Sequence, residues 1–480
     1  MSHTFHGPLR RCPANPRYFT DDTGRAIYLS GSHTWAVFQD LVPLDGEPSP
    51  GQLFDFEDWL AFSRRYGFNF LRLWSREAAY QRGRRGVELG QYLPSRYLEA
   101  NPGRAPGELP KYDLDRLNPA YFERLRDRVI RAGEQGIYVS VMLFEAWTAN
   151  PYMGAPFDGH PFNRLNNVNG VDGDPETPPI PAELNPDGDR TTFPGCETLA
   201  IHTLADPKIL AYEKAYVKKV VETLNDLDNV LYEICNEALR RSKYWQYEMI
   251  RYIHELESGM PKQHPVWMTH LVQAQNEALF ASPAEAVSPG VEAVDEDFCV
   301  DPPVLDGRKV VFADTDHLGG IWGTPQWVWK SFMRGHNPIF MDNYGMPGDD
   351  LDQSGDGGPV SLLFGRWQYG LPANWREPVR EAMAQTLRFA AEMDMGRMLP
   401  TNSLSSTRYC LADADQEYLV YQPESGQFRL NLTGARGPFS VEWFSPATGE
   451  KVTGGSFPGG HPIDFTPPFA GEAVLHLKKL

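Results

Sequence analysis

The feature that most limits the fold is an alternation. Over the first four hundred residues an apolar run of four to seven residues is followed by a polar loop and then by a helical stripe closed by glycine. Parallel strands cannot be joined by tight turns, because each connection must return to the end where the previous strand began. A chain that alternates in this way therefore predicts a parallel sheet with crossover helices. In FEDWLAFSRRYG, Trp59, Phe62 and Tyr66 fall at i, i+3 and i+7 before Gly67. In NPAYFERLRDRVIRAGEQG, Asn118 and Pro119 read as cap and first turn, and Phe122, Leu125, Val129 and Ala132 form the stripe ahead of Gly136.

Counting strands gives eight: AIYLSGSHTW, FNFLRLW (68–74), IYVSVMLF (137–144), VLYEICNE, PVWMTHL, a short one at Ala286 to Ser288, KVVFADTDH (309–317) and PIFMDNY (338–344). Eight strands with intervening helices predict an α/β fold of the (β/α)8 TIM-barrel type rather than an open doubly wound sheet. After a long helix from Val379 to Met393 the pattern changes to short strands spaced by Gly, Pro and Asp turns, from TRYCLA to AVLHLKKL. The expected division is a barrel domain over 1–398, opened by an N-terminal β-hairpin, and a small antiparallel β-sandwich over 399–480. Two connections, 75–116 and 148–206, are too long to be mere joints. Both leave the C-terminal ends of their strands, the catalytic face of such a barrel, and would wall a pocket from two sides.

Charge narrows the partners. A formal net charge of −18 repels phosphate backbones and anionic lipid, so no nucleic acid and no membrane surface is expected, and a neutral or cationic ligand fits better. The five cysteines show no C-x-x-C pairing, which argues against a disulfide framework or zinc site; reduced thiols in a cytoplasmic protein are expected. No stretch approaches 18 apolar residues and the N-terminus has no apolar signal-like core. There is no phosphate loop, dinucleotide fingerprint or G-x-S-x-G elbow, and no cofactor or metal is expected.

One residue breaks the apolar logic. Glu237 ends the fourth strand, where burial favours the neutral carboxyl and should raise its pKa toward the range of a general acid. Its neighbour Asn236 is placed to hydrogen-bond a substrate hydroxyl. A strand-end salt bridge to Arg240 is the structural alternative.

NFLRLW on strand two, VLYEICNE on strand four and a carboxylate-bearing strand seven resemble the clan A glycoside hydrolases, barrels whose strand-four Asn-Glu supplies the acid/base and whose strand seven supplies the nucleophile. RYFTDDTGRAIYLSGSHTW and RYCLADADQEYLVYQP are more specifically similar to cellulase-like bacterial glycosidases with a C-terminal domain labelled collagen-binding. The resemblance implies Glu237 as acid/base, Asn236 as hydroxyl-binding neighbour and Arg72 as the cation that keeps the nucleophile ionised. Strand seven departs from the pattern, offering Asp314 and Asp316 where the clan has Glu. Two apart on a strand, they would point to the same side. Asp316, nearer the open end, is the first choice as nucleophile and Asp314 the second; Asp342 takes the role if the strand count is off by one.

The expected activity is that of a glycosidase, exo-acting on a short oligosaccharide or glycoside, with a retaining two-carboxylate mechanism. His33, Trp35, Trp74, Glu145, Trp147, His317 and Tyr344 are strand-end candidates for sugar contact, with His160 and Asn163 in the lid. Two rivals remain open: a carbohydrate-binding barrel without turnover, and a metal-dependent hydrolase built on Asp314, Asp316 and His317, although strand geometry would turn His317 away from both Asp side chains. Homo-oligomerisation is left open.

Overall fold

The computed structural model describes residues 4–44, 53–84, 87–105, 109–149, 156–175, 199–272, 276–290, 300–318, 323–342, 344 and 376–480. The alternation folds as expected. Eight strands, Gly31–His33, Phe70–Leu73, Tyr138–Glu145, Val230–Asn236, Val266–Thr269, Ala286–Ser288, Val310–Asp314 and Asn337–Met341, form one parallel sheet in which the second to eighth are paired in chain order and the eighth pairs with the first. They are called the first to eighth strands below.

The sheet meets itself between the first and second strands, and the seam is made by side-chain chemistry rather than by a regular ladder. Asn69 donates its backbone N–H to Ser30 O at 3.2 Å, accepts the Ser30 N–H on Oδ1 at 2.9 Å and donates Nδ2 to Tyr28 O at 2.8 Å. Glycine is required beside it, because a Cβ on Gly31 would lie 1.9 Å from Phe70 O.

Helices Phe56–Tyr66 and Pro119–Glu134 form where their stripes and caps are written. Asp55 accepts from the Asp58 N–H, Asn118 accepts from the Ala120 N–H, and Gly67 ends the first helix in the left-handed region at φ 68°. The barrel interior is plugged at its N-terminal end by Leu29, Phe70, Tyr138, Leu231, Trp267, Val310, Phe312 and Ile339, capped by Leu9 and Phe19. The N-terminal hairpin is in fact a three-stranded antiparallel sheet, Arg10–Arg11, Phe19–Thr20 and Ala26–Ile27.

The segment after the second strand is not a loop. Val87–Leu93 pairs with Tyr80–Arg84 on one side and with Asp40–Pro43 on the other, and Tyr97–Arg104 pairs with Pro110–Leu117. Its Gly and Pro content obscured a set of buried aromatics: Tyr80, Tyr97 and Tyr112 build a second apolar cluster with Phe162 and Ile201 from the segment after the third strand and Ile209 of helix Pro207–Leu224. Part of that second segment, 150–155 and 176–198, lies outside the described residues.

The C-terminal region is a β-sandwich of a six-stranded antiparallel sheet and a two-stranded one, Phe428–Asn431 with Pro462–Phe465. One face of the larger sheet packs on the barrel. Trp329 of helix Pro325–Met333 stacks on Tyr421 at 5.7 Å between ring centroids, and Phe389 of helix Arg376–Glu392 meets Phe444 at 5.4 Å. Cys12, Cys235 and Cys410 are buried and free.

Gly31→Ala is expected to destabilise the protein by about 3 kcal/mol, the upper end for overpacking, because the atom it would strike is a backbone carbonyl inside the closed sheet. Urea unfolding followed by tryptophan fluorescence measures it; a midpoint equal to wild type would show that the seam has slack.

Candidate active site

Directly above the apolar plug the interior turns charged. Phe70 and Arg72, Leu231 and Glu233, and Phe312 and Asp314 are each two apart on one strand, so the side that faces inward carries an apolar residue and then an ionisable one. Arg72, Glu233 and Asp314 have fully buried side chains, and that of Asp316 is 4% exposed.

Arg72 holds this layer together. Its Nε and Nη2 donate to Glu233 at 2.8 and 2.6 Å, and its Nη1 donates to Asp314 at 3.2 Å and to Asp316 at 2.8 Å. Nη2 also meets Asn236 Oδ1. The guanidinium lies over the rings of Trp74 and Trp267, at 4.9 and 5.5 Å from their centroids. Burial alone would lower its pKa, but Glu233, Asp314 and Asp316 outweigh that and hold it above the usual arginine value. One cation does not neutralise three carboxylates, so their protons are shared unequally. Burial raises all three. For Asp314 the attraction of His33 and Arg72 wins, and its carboxyl sits well below the ordinary range. For Glu233 and Asp316 burial wins over Arg72, and both are shifted upward.

His33 has a defined tautomer. Trp74 Nε1–H donates to its Nδ1 at 3.0 Å, so Nε2 carries the hydrogen that bonds Asp314 Oδ1 at 3.0 Å.

Glu237 is not on the fourth strand. That strand ends at Asn236, and Glu237 follows it in the left-handed region at φ 45°, before Ala238–Leu239 pairs with Leu271–Val272. A non-glycine residue in that region is strained, which re-aims its side chain relative to strand alternation. Likewise the seventh strand stops at Asp314, and Thr315–Leu318 makes a helical turn in which the Asp316 N–H donates to Asp314 Oδ1 at 2.9 Å. Alternation therefore does not apply to Asp316 or His317. The turn brings His317 Nε2 within 3.5 Å of Asp316 Oδ2, where strand geometry would have turned it away. One carboxylate oxygen of Glu237, one of Asp316 and one ring nitrogen of His317 lie within 4.8 Å of one another.

His317 is held by Ser288 Oγ on Nδ1 at 2.9 Å and by Asn236 Oδ1 on Nε2 at 3.0 Å, and burial keeps it neutral, its pKa well below the usual value. With Oδ1 of Asn236 engaged by Arg72 and His317, its buried Nδ2 has no partner among the described residues; nor does Nδ1 of buried His270 after the fifth strand. These are polar atoms left for a ligand.

Other expected residues are dispersed. Trp35 is buried in the main core. Trp147 lies in the short helix Ala146–Ala149 after the third strand, partly buried. Tyr344 stacks on Phe62 of helix Phe56–Tyr66 at 3.9 Å and donates to Asp58 at 2.9 Å, outside the acid cluster. Asp342, the fallback nucleophile, is gripped by Arg380 through two bonds of 2.7 Å and is structural. Glu145 accepts from the Thr148 N–H at 3.0 Å and the Glu77 N–H at 3.3 Å. It belongs to a buried network that sequence reasoning missed. Glu77 accepts from the Glu145 N–H at 2.8 Å and pairs with His202 at 2.8 Å, His160 at 3.4 Å and Arg96 at 3.5 Å. His202 in turn donates its backbone N–H to Glu213 at 3.1 Å. This network ties both long segments to the barrel. Glu233 was missed as well, though an acid in mid-strand two residues before Cys235 was a visible signal.

The whole-chain shape has close counterparts. A solved structure described as a glycoside hydrolase matches with a TM-score of 0.60 at 12% identity, over 99% of this chain and 97% of that one. A glycoside hydrolase family 5 structure from Bacteroides vulgatus ATCC 8482 matches with a TM-score of 0.60 at 12% identity, over 100% of this chain and 95% of that one. The fold is similar to that of known glycoside hydrolases. The likeness to clan A glycoside hydrolases drawn from the sequence thus holds in the barrel-plus-sandwich architecture. Residues 397–475 match a family profile described as "Putative collagen-binding domain of a collagenase". No curated protein matches the chain. Among the described residues, no helix is long and apolar enough to cross a membrane.

Glu213 generates a pH test of the loop network. Burial pushes its carboxyl up to about 7, against the pull of His202. The folded state therefore keeps a proton that the unfolded chain has lost, so this residue lowers stability as pH rises from about 5 to 7 and changes nothing further above that. In Glu213→Gln that component disappears, and the wild-type-minus-variant stability difference, from urea titrations at several pH values, is expected to fall by roughly 2 kcal/mol across the window. A difference that is flat with pH would remove Glu213 from the titrating groups.

Proposed function

We propose that the protein is a retaining glycoside hydrolase in which Glu237 is the acid/base and Asp316 the nucleophile. The observation that carries this reading is the approach of Glu237, Asp316 and His317 within 4.8 Å beside the Arg72 guanidinium. That spacing is nearer the roughly 5 to 5.5 Å of retaining enzymes than the wider gap that admits a water in inverting ones. In the first step Glu237 protonates the departing glycosidic oxygen while the Asp316 carboxylate bonds to the anomeric carbon. In the second, Glu237 takes a proton from the water that releases the sugar. Arg72 pulls against the burial that favours protonated Asp316, the direction a nucleophile needs, and Asp314, fixed by His33, shares the same Nη1 of Arg72. The Nδ2 of Asn236, unpartnered among the described residues, is available to a sugar hydroxyl. The paired strands after the second strand support exo-action on a short oligosaccharide or glycoside, because folded walls narrow the mouth more than loose loops would.

Glu237→Gln is expected to lower kcat on aryl glycosides by about three orders of magnitude, and NMR of the wild-type reaction should show the first product with the starting anomeric configuration. Wild type that binds sugars yet cleaves no glycoside would leave a carbohydrate-binding barrel instead.

The same three-residue cluster favours a second reading, a divalent-metal hydrolase, since two carboxylates and a neutral imidazole are an ordinary donor set. It ranks below the first because the Arg72 cation already occupies Asp316 Oδ2. Activity that survives exhaustive chelation discards it; activity lost and restored by zinc or manganese puts it first.

A further inference from the structure

The mouth of the barrel holds a guanidinium for which the two-carboxylate reading has no use. Arg76, two residues beyond Trp74, is 4% exposed, and its Nε and Nη2 have no hydrogen-bond partner among the described residues. Those nitrogens form the edge of the guanidinium that fits a planar carboxylate with two parallel bonds. The same edge grips Glu233 in Arg72, Asp342 in Arg380, and Asp464 in Arg429 at 2.6 and 2.8 Å. In Arg76 it is buried and, among the described residues, unpartnered, which is costly for a cation unless two acceptors arrive.

Its surroundings hold it in place without filling that edge. The Arg76 N–H donates to Gln39 Oε1 at 2.6 Å, and the guanidinium lies 4.9 Å from the Trp74 ring centroid and 5.9 Å from that of Tyr92. Glu145 acts on it through charge, but its carboxylate oxygens accept from Thr148 and from the Glu77 N–H. Trp74 is hydrogen-bonded to His33 and His33 to Asp314, so Arg76 shares a wall with the acid cluster.

We infer that Arg76 receives the carboxylate of an acidic sugar, making the substrate a uronate-type glycoside rather than a neutral one. This rests on the glycosidase reading of the same pocket for its substrate class. It also corrects the expectation from net charge. A charge of −18 acts at long range and is screened beyond about 8 Å in physiological salt, whereas the fork acts by contact.

Calorimetric titration of the full-length protein with D-glucuronate and D-galacturonate, each against the matching neutral hexose, tests it. Wild type should bind an acid at least tenfold more tightly than its neutral partner. The ratio should fall toward one in Arg76→Gln and in Arg76→Lys, which keeps the charge but loses the fork. A wild-type ratio near one overturns the inference, as does a preference that persists in either folded variant; should neither variant fold, the wild-type ratio decides. Hydrolysis of neutral aryl glycosides with no acid preference would sink this inference and leave the glycosidase reading standing. Acid-selective binding lost in the Arg76 variants, without cleavage of any aryl glycoside or glycuronide, would do the reverse.

Discussion

The contact on which the site depends is the grip of Arg72 on Glu233, Asp314 and Asp316. Without that cation, three acids from the fourth and seventh strands and the turn that follows would repel one another in a space that excludes water. Burying a charge of either sign is unfavourable, and the cluster survives because each member is held by hydrogen bonds as well as by attraction. The arrangement also separates the acids chemically: Asp314 is locked as an anion by His33 and Arg72, whereas Glu233 and Asp316 are pushed toward their protonated forms.

Most of the barrel was legible because its signal is repetitive. Helix stripes, two of them closed by Gly67 and Gly259, are followed by apolar runs that are strands, so an error in one element is corrected by its neighbours. The C-terminal strands were legible for a related reason, since turn residues recur between them. What could not be read was anything set by a single backbone torsion or by meeting across the fold. Glu237 sits in the left-handed region, and Asp316 and His317 sit on a helical turn, so strand alternation, which holds through Phe70–Arg72 and Phe312–Asp314, does not reach them. Tyr344 looked like a strand-end aromatic, yet Phe62 and Asp58 on a distant helix claim it.

The segments after the second and third strands illustrate the same limit from the other side. Their Gly and Pro residues read as loop, and their tyrosines found an apolar cluster only because two stretches far apart in sequence supply it together. Glu77, His160 and His202 are far apart in the chain and carry no motif; only the fold puts them in contact.

The C-terminal sheet has given one of its two faces to the barrel. Tyr421, Phe444 and Leu419 belong to the same buried core as Trp329 and Phe389, and Gln385 donates to Pro446 O across the junction at 2.9 Å. Cut free and fused to another carrier, this sheet would present an aromatic surface to water and self-associate, so pull-down results from the isolated piece would report stickiness rather than recognition.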